Sequence, residues 1–128
     1  MKTILIADDE ENLRILIETT LEDPGLMLLH CRDGAIAVGI AKSQRPDLLI
    51  LDWMMPGMSG LEVLRALRAD QTTAHIPVIL LTARGQEKDR AEGMAAGAYA
   101  YLVKPFSPLE LLGVVQQVLA PERKTGTR

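Results

Sequence analysis

The sequence predicts an α/β fold: one five-stranded parallel sheet in the order 2-1-3-4-5, doubly wound, with helices on both faces. Three observations predict it. Short apolar runs alternate with segments of helical spacing along the 128 residues, the pattern of parallel strands joined by right-handed crossovers. The runs are continuously apolar rather than alternating, as strands buried on both faces are. Each is bounded by Gly, Pro or polar residues at strand length rather than helix length.

Taken in order, "TILIA" (3–7) is a β-branched strand that ends at the acidic cluster Asp8, Asp9, Glu10 and Glu11. Residues 11–22 put Leu13, Leu16, Ile17, Thr20 and Leu21 on one helical face. "LMLLHC" (26–31) is the second strand, and the Ala-rich "GAIAVGIAKSQ" (34–44) suits close packing of a helix on a sheet. "DLLILD" (47–52) is the third strand. "SGLEVLRALRAD" (59–70) follows, with Ser59 and Glu62 at capping-box spacing. "PVILLTA" (77–83) and "AYLVK" (100–104) complete the strands. The last helix, "SPLELLGVVQQVL" (107–119), repeats the capping device with Ser107 as N-cap, Pro108 at N1 and Glu110 at N3. Residues 84–96, "RGQEKDRAEGMAA", are the weakest helix, with Met94 as the one large apolar residue, and are expected to be the most mobile. Five strands in this length fit the flavodoxin-like order.

Composition narrows the function. Nearly half the residues are apolar (48%) and 24% are charged, as in a soluble globular domain. Aromatics are only 3%, so Leu, Ile, Val, Ala and Met must build the core. A net charge of −3 argues against a general nucleic-acid surface. The basic residues Arg123, Lys124 and Arg128 lie in a tail without an apolar face. One domain over 1–120 is therefore expected, with 121–128 a frayed end or linker stub. No basic leader opens the chain and no run approaches ~20 apolar residues, so a cytoplasmic protein without membrane contact is expected. The single cysteine, Cys31, excludes an internal disulfide and reads as a small buried thiol. His30 and His75 are isolated and read as structural or solvated, and Trp53 as a partly exposed loop residue.

In open α/β sheets ligands bind beyond the carboxyl ends of the strands. Those ends carry Asp8 and Asp9, Asp52, Thr82 and Lys104. Singly, each has a blander reading: a strand-end Asp is more often a helix cap or turn residue, Thr82 a strand residue, Lys104 a solvated lysine. The predicted strand order puts all five on one edge, around Asp52, and that joint placement points to chemistry. Three carboxylates facing one lysine need a cation. Hard oxygen ligands without Cys or clustered His select Mg²⁺, Mn²⁺ or Ca²⁺ over zinc. Carboxylate, divalent ion, ammonium and hydroxyl together suit a phosphoryl group, and an Asp carboxylate is itself a nucleophile that forms aspartyl phosphate.

The motifs "ILIADDE" (4–10), "LLILDWMMPGMSGLEVL" (48–64), "VILLTA" (78–83) and "YLVKPF" (101–106) stand in register over about residues 3–119. Together they resemble the receiver domain of two-component response regulators. The resemblance implies that Asp52 accepts a phosphoryl group from a histidine kinase or phosphotransfer protein. It implies Mg²⁺ (or Mn²⁺) held by Asp8, Asp9, Asp52 and the backbone carbonyl of Met54. Lys104 and Thr82 would contact phosphoryl oxygens, Ala83 would leave room for them, and Thr82 and Tyr101 would be the switch pair. Lys104–Pro105 would be a cis peptide. Signalling would leave through the face of helix 84–96, the fifth strand and helix 107–119, toward an unknown effector domain or target.

Departures from the family pattern are informative. Met54 stands where many relatives carry Asn or another polar residue, and Arg84 occupies a second position that tunes phosphate lifetime. "GAYAY" (97–101) replaces "GADDY". The last helix lacks the arginines that many DNA-binding relatives use in receiver–receiver salt bridges, which argues against that style of dimer. A weak or phosphorylation-dependent dimer stays compatible. A haloacid-dehalogenase-like phosphohydrolase is the enzyme alternative, disfavoured because Met54 stands where its second acid belongs. A receiver fold that only binds protein is the other alternative, disfavoured because all five site residues are present. A flavodoxin proper fails for want of a Gly/Ser/Thr-rich phosphate loop after the first strand.

Overall fold

The computed structural model describes residues 1–83 and 87–120. Arg84 and the tail 121–128 lie outside the described residues. The elements are β1 (Lys2–Ala7), α1 (Glu11–Leu21), β2 (Leu26–Cys31), α2 (Gly34–Gln44), β3 (Leu48–Asp52), α3 (Gly60–Arg68), β4 (Val78–Thr82), α4 (Glu87–Ala95), β5 (Ala100–Val103) and α5 (Pro108–Leu119). The strands form one parallel sheet in the order β2-β1-β3-β4-β5, as the sequence pattern predicts.

Alternation along the strands builds two cores. Leu5, Ala7, Leu49, Leu51, Val78 and Leu80 point to one face and pack with Ala37 and Ala41 of α2 and Val63, Leu64 and Leu67 of α3. Ile4, Ile6, Leu48, Ile50, Ile79 and Leu81 point to the other and meet Ile17 and Leu21 of α1 and Leu111 and Val115 of α5. Every residue of β3 and β4 is buried. Each such Leu or Ile contributes about 1.5–3 kcal/mol by leaving water, so these two strands are the most strongly held part of the sheet. The predicted face of α1 needs one correction. Ile17 and Leu21 carry it, Leu13 is partly buried, and Leu16 is exposed.

The helix starts follow their caps. Ser59 Oγ accepts from the Glu62 N–H at 3.2 Å while Glu62 Oε1 accepts from the Ser59 N–H at 2.8 Å, the full capping box of α3. Ser107 Oγ accepts from the N–H groups of Leu109 and Glu110 at 3.1 and 3.2 Å, with Pro108 in the first turn of α5. Asp33 does the same for α2, its Oδ1 accepting from Ala35 at 2.7 Å.

Between β3 and α3 the chain turns back against itself. The Gly60 N–H donates to the Trp53 carbonyl at 2.8 Å. A Cβ on Gly60 would collide with the Asp52 carbonyl oxygen and lie 2.9 Å from Trp53 Cα, both backbone atoms that cannot swing aside. Gly60→Ala should therefore cost about 3 kcal/mol as an overpacked site. Ser59→Ala should cost only about 1 kcal/mol as a lost cap. Urea midpoints measure both, and equal stability of Gly60→Ala and parent would show that the loop has room to yield.

Candidate functional site

Parallel pairing brings the carboxyl ends of the strands to one edge. β1 runs into Asp8, which is fully buried, and then into the exposed Asp9. β3 ends on Asp52, 4% exposed, and β4 ends on the fully buried Thr82. Lys104 follows β5, and its backbone N–H donates to the Thr82 carbonyl at 2.7 Å. The Lys104–Pro105 bond is cis, as the motif led us to expect.

These residues meet. Lys104 Nζ lies 2.8 Å from Asp52 Oδ1 and 3.5 Å from Asp8 Oδ2, with its stem mostly covered. One carboxylate oxygen from each of Asp8, Asp9 and Asp52 falls within 4.8 Å of the others. Asp8 is fixed from several sides. Its Oδ1 accepts the Glu10 N–H at 2.8 Å, and its backbone carbonyl accepts a bond from the Arg14 guanidinium at 2.6 Å.

The charge balance is strained. Burial pushes the Asp52 carboxyl up to about 6, and the charge on Asp8 adds to this while the Lys104 hydrogen bond opposes it. Asp8 is likewise raised by burial against the pull of the Glu10 N–H and Lys104. Burial alone would lower Lys104, but its bond to Asp52 and the charges of Asp52 and Asp8 outweigh that and raise it. Among the described residues, a single ammonium thus faces three converging carboxylates. This hard-oxygen donor set, with a deficit of positive charge, fits a divalent cation such as Mg²⁺ or Mn²⁺.

The rim and the second layer divide the remaining candidates. Met54 is 61% exposed at the mouth of the site, beside β3's end. Ala83 is exposed just past Thr82. Tyr101 is buried at 6% exposure, its ring edge-on to Trp53 at 6.1 Å and 84°, with the Arg90 guanidinium 5.9 Å from its centroid. Trp53 overturns expectation: it is 6% exposed, not a partly exposed loop residue. Its position just past β3 reads as loop, but α4 folds over it. Asp89 of α4 is also buried, at 5%, although its neighbours make that segment read as a solvated charged face.

A model of the response regulator receiver domain matches residues 4–116. The chain belongs to the response regulator receiver domain family. Among relatives of this receiver domain is the phosphate regulon transcriptional regulatory protein PhoB of Pseudomonas aeruginosa. It is 44% identical over 125 residues, covering 98% of this chain and 53% of PhoB. The receiver domain spans about half the length of the curated relatives it matches. Among solved structures, the chemotaxis response regulator CheY4 of Vibrio cholerae superposes with a TM-score of 0.85 at 36% identity, over 93% of this chain and 99% of that one. The receiver domain of the sensor histidine kinase PA1611 of Pseudomonas aeruginosa PAO1, described with a magnesium ion coordinated in the active site cleft, gives 0.84 at 32% identity, over 94% and 98%.

The raised Asp52 carboxyl generates a pH prediction for the metal-free receiver domain. In the unfolded chain this carboxyl titrates near its ordinary value of 3.8, and in the folded one near 6. Below both values the group is neutral in either state and costs nothing. As pH rises through this window the folded state holds the proton more tightly, so stability falls. Above about pH 6 the cost is complete. Asp52→Asn should therefore raise the Tm in EDTA at pH 8, by a few degrees, with the gain shrinking as pH falls toward 4. An unchanged Tm difference across that range would refute it.

Proposed function

We propose that this receiver domain is a phosphorylation-activated switch of a two-component system, with Asp52 as phosphoacceptor. What carries the reading is one arrangement: a buried carboxylate at the end of the central strand, 2.8 Å from Lys104 and clustered with Asp8 and Asp9. The donor is the phosphohistidine of a histidine kinase or phosphotransfer protein. An Asp52 carboxylate oxygen bonds to phosphorus as the histidine N–P bond breaks, and the electron pair stays with the imidazole.

The chain's residues act by position and charge. Lys104 already bonds to Asp52, so its ammonium stands beside any group added there and pairs with a phosphoryl oxygen. The Thr82 hydroxyl donates to another. Asp8, Asp9, Asp52 and the Met54 carbonyl would hold Mg²⁺ (or Mn²⁺), which would supply positive charge beside the phosphoryl oxygens. Met54 and Arg84 tune how long the phosphate persists. The domain catalyses its own phosphorylation and dephosphorylation and is not a metabolic enzyme.

After transfer, Asp52 carries about −1.5 to −2 charges and three acceptor oxygens. Thr82 moves toward them and Tyr101 follows, which biases α4 and, through it, the face of α4, β5 and α5. The partners are the kinase or phosphotransfer protein and an effector domain or target. The matched relatives are named transcriptional regulators and continue well beyond the matched region, so an attached effector is the first to test. The acidic balance argues against direct nucleic-acid binding by this segment. Among the described residues no helix is long and apolar enough to cross a membrane, which agrees with a cytoplasmic setting. Residues 1–120 form the receiver domain, and 121–128 are assigned as tail or linker.

The test uses Trp53, the one tryptophan in the chain. Mg²⁺ should change its emission, and beryllofluoride or acetyl phosphate should change it further. Intact mass should report one phosphoryl group, absent in Asp52→Asn. Labelling that persists in Asp52→Asn, or none in the parent, rejects the assignment. Hydrogen exchange around Ala83 and in the first turn of α4 should slow when beryllofluoride binds, and unchanged exchange there would reject the switch.

A further inference from the structure

Among the described residues, α4 is the helix that buries no apolar side chain. It buries only Asp89 and Gly93, and its mean hydropathy is the lowest of the five. Its ties to α3 are thin. Arg65 meets Glu92 at 3.4 Å with both side chains exposed, a pair worth at most about 1 kcal/mol. Arg68 reaches the Gly97 carbonyl at 2.9 Å, beyond the helix's end.

The close contact lies underneath. A Cβ on Gly93 would stand 2.9 Å from Leu80 Cδ1 and 3.5 Å from both the Trp53 ring and the Tyr101 ring. The bare glycine therefore sits against Leu80 and beside two aromatic rings that already meet edge to face. Trp53 is also the covalent neighbour of Asp52. Its N–H donates to the Leu81 carbonyl and its carbonyl accepts from Gly60, both at 2.8 Å. With its backbone pinned at both ends, its indole is an arm of fixed origin between Asp52 and α4.

Resting on Asp52 as the phosphoacceptor, we propose that Trp53 and Gly93 form a knob and its seat that carry a change at Asp52 to α4. Trp53 is a positioning residue. Its buried ring packs against Tyr101 and beneath Gly93, and it acts by setting where Tyr101 and α4 lie. Removing the knob leaves α4 above a void, whereas a methyl in the seat crowds Leu80 Cδ1, so that side chain or α4 must shift. Either change uncouples the helix while the carboxylates and Lys104 keep their places.

The experiment compares the parent with Gly93→Ala, Trp53→Ala and Trp53→Phe. It reads Asp52 labelling by acetyl phosphate and the hydrogen exchange of α4 with and without beryllofluoride and Mg²⁺. In the parent, beryllofluoride should slow α4 exchange by about tenfold, within the usual range of coupling between sites. Gly93→Ala and Trp53→Ala should label at Asp52 yet show an α4 response below about twofold. Trp53→Phe, which restores a ring, should recover an intermediate response. The double variant should lose no more than either single one, as expected of partners in one contact. Since alanine favours a helix more than glycine does, Gly93→Ala carries the test even where Trp53→Ala does not fold. Full α4 response in labelled Gly93→Ala overturns the proposal alone. Absence of labelling in the parent overturns the phosphoacceptor assignment and this proposal with it.

Discussion

The ion pair between Lys104 and Asp52 is the contact on which the rest of the site depends. β3 is covered on both faces, yet it ends in a carboxylate that burial drives toward neutrality. Lys104 reaches back from beyond the edge strand, across β4, to stand 2.8 Å from it. That reach requires the register of β3, β4 and β5 to be correct to one residue, because a slip would turn each side chain to the other face. The same pairing sets Thr82 beside Lys104 through their backbones. Sheet order and site geometry are thus one constraint seen at two scales.

Much of this is legible in the sequence. The strands are, because apolar runs bounded by Gly and Pro leave few alternatives, and α3 is, because Ser59 and Glu62 mark its start. The convergence of Asp8, Asp9, Asp52, Thr82 and Lys104 follows from strand order, since a parallel sheet collects its carboxyl ends. Their exact contacts do not follow: nothing in the spacing says that Lys104 lies nearer Asp52 than Asp8. Trp53 departs from the sequence expectation because burial of a residue just past a strand depends on what later folds over it. Gly93 leaves no hydrophobic signal, since its part in packing is the side chain it lacks. Leu16 departs in the opposite direction, as helical spacing locates an apolar stripe without saying how much of it the fold covers.

α4 shows how weak holding and function go together. Elements that move must come from the low-stability end of a structure, and this helix buries no apolar side chain, while its Arg65–Glu92 pair is exposed. Its charged sequence keeps it from competing for the core, while the glycine seat keeps it aligned when it is down. A stronger helix would be easier to recognise in the sequence and harder to displace.

The two cores have a consequence for how such a domain diversifies. Trp53, Tyr101 and the strand residues beneath α4 belong to one compartment, while Ile17, Leu21, Leu111 and Val115 belong to the other, and the sheet stands between them. Among the described residues, no buried residue is shared. Substitutions on the outer surface of α1 can therefore accumulate without disturbing the rings under α4. The chain can acquire new recognition on one side while inheriting its response, unaltered, on the other.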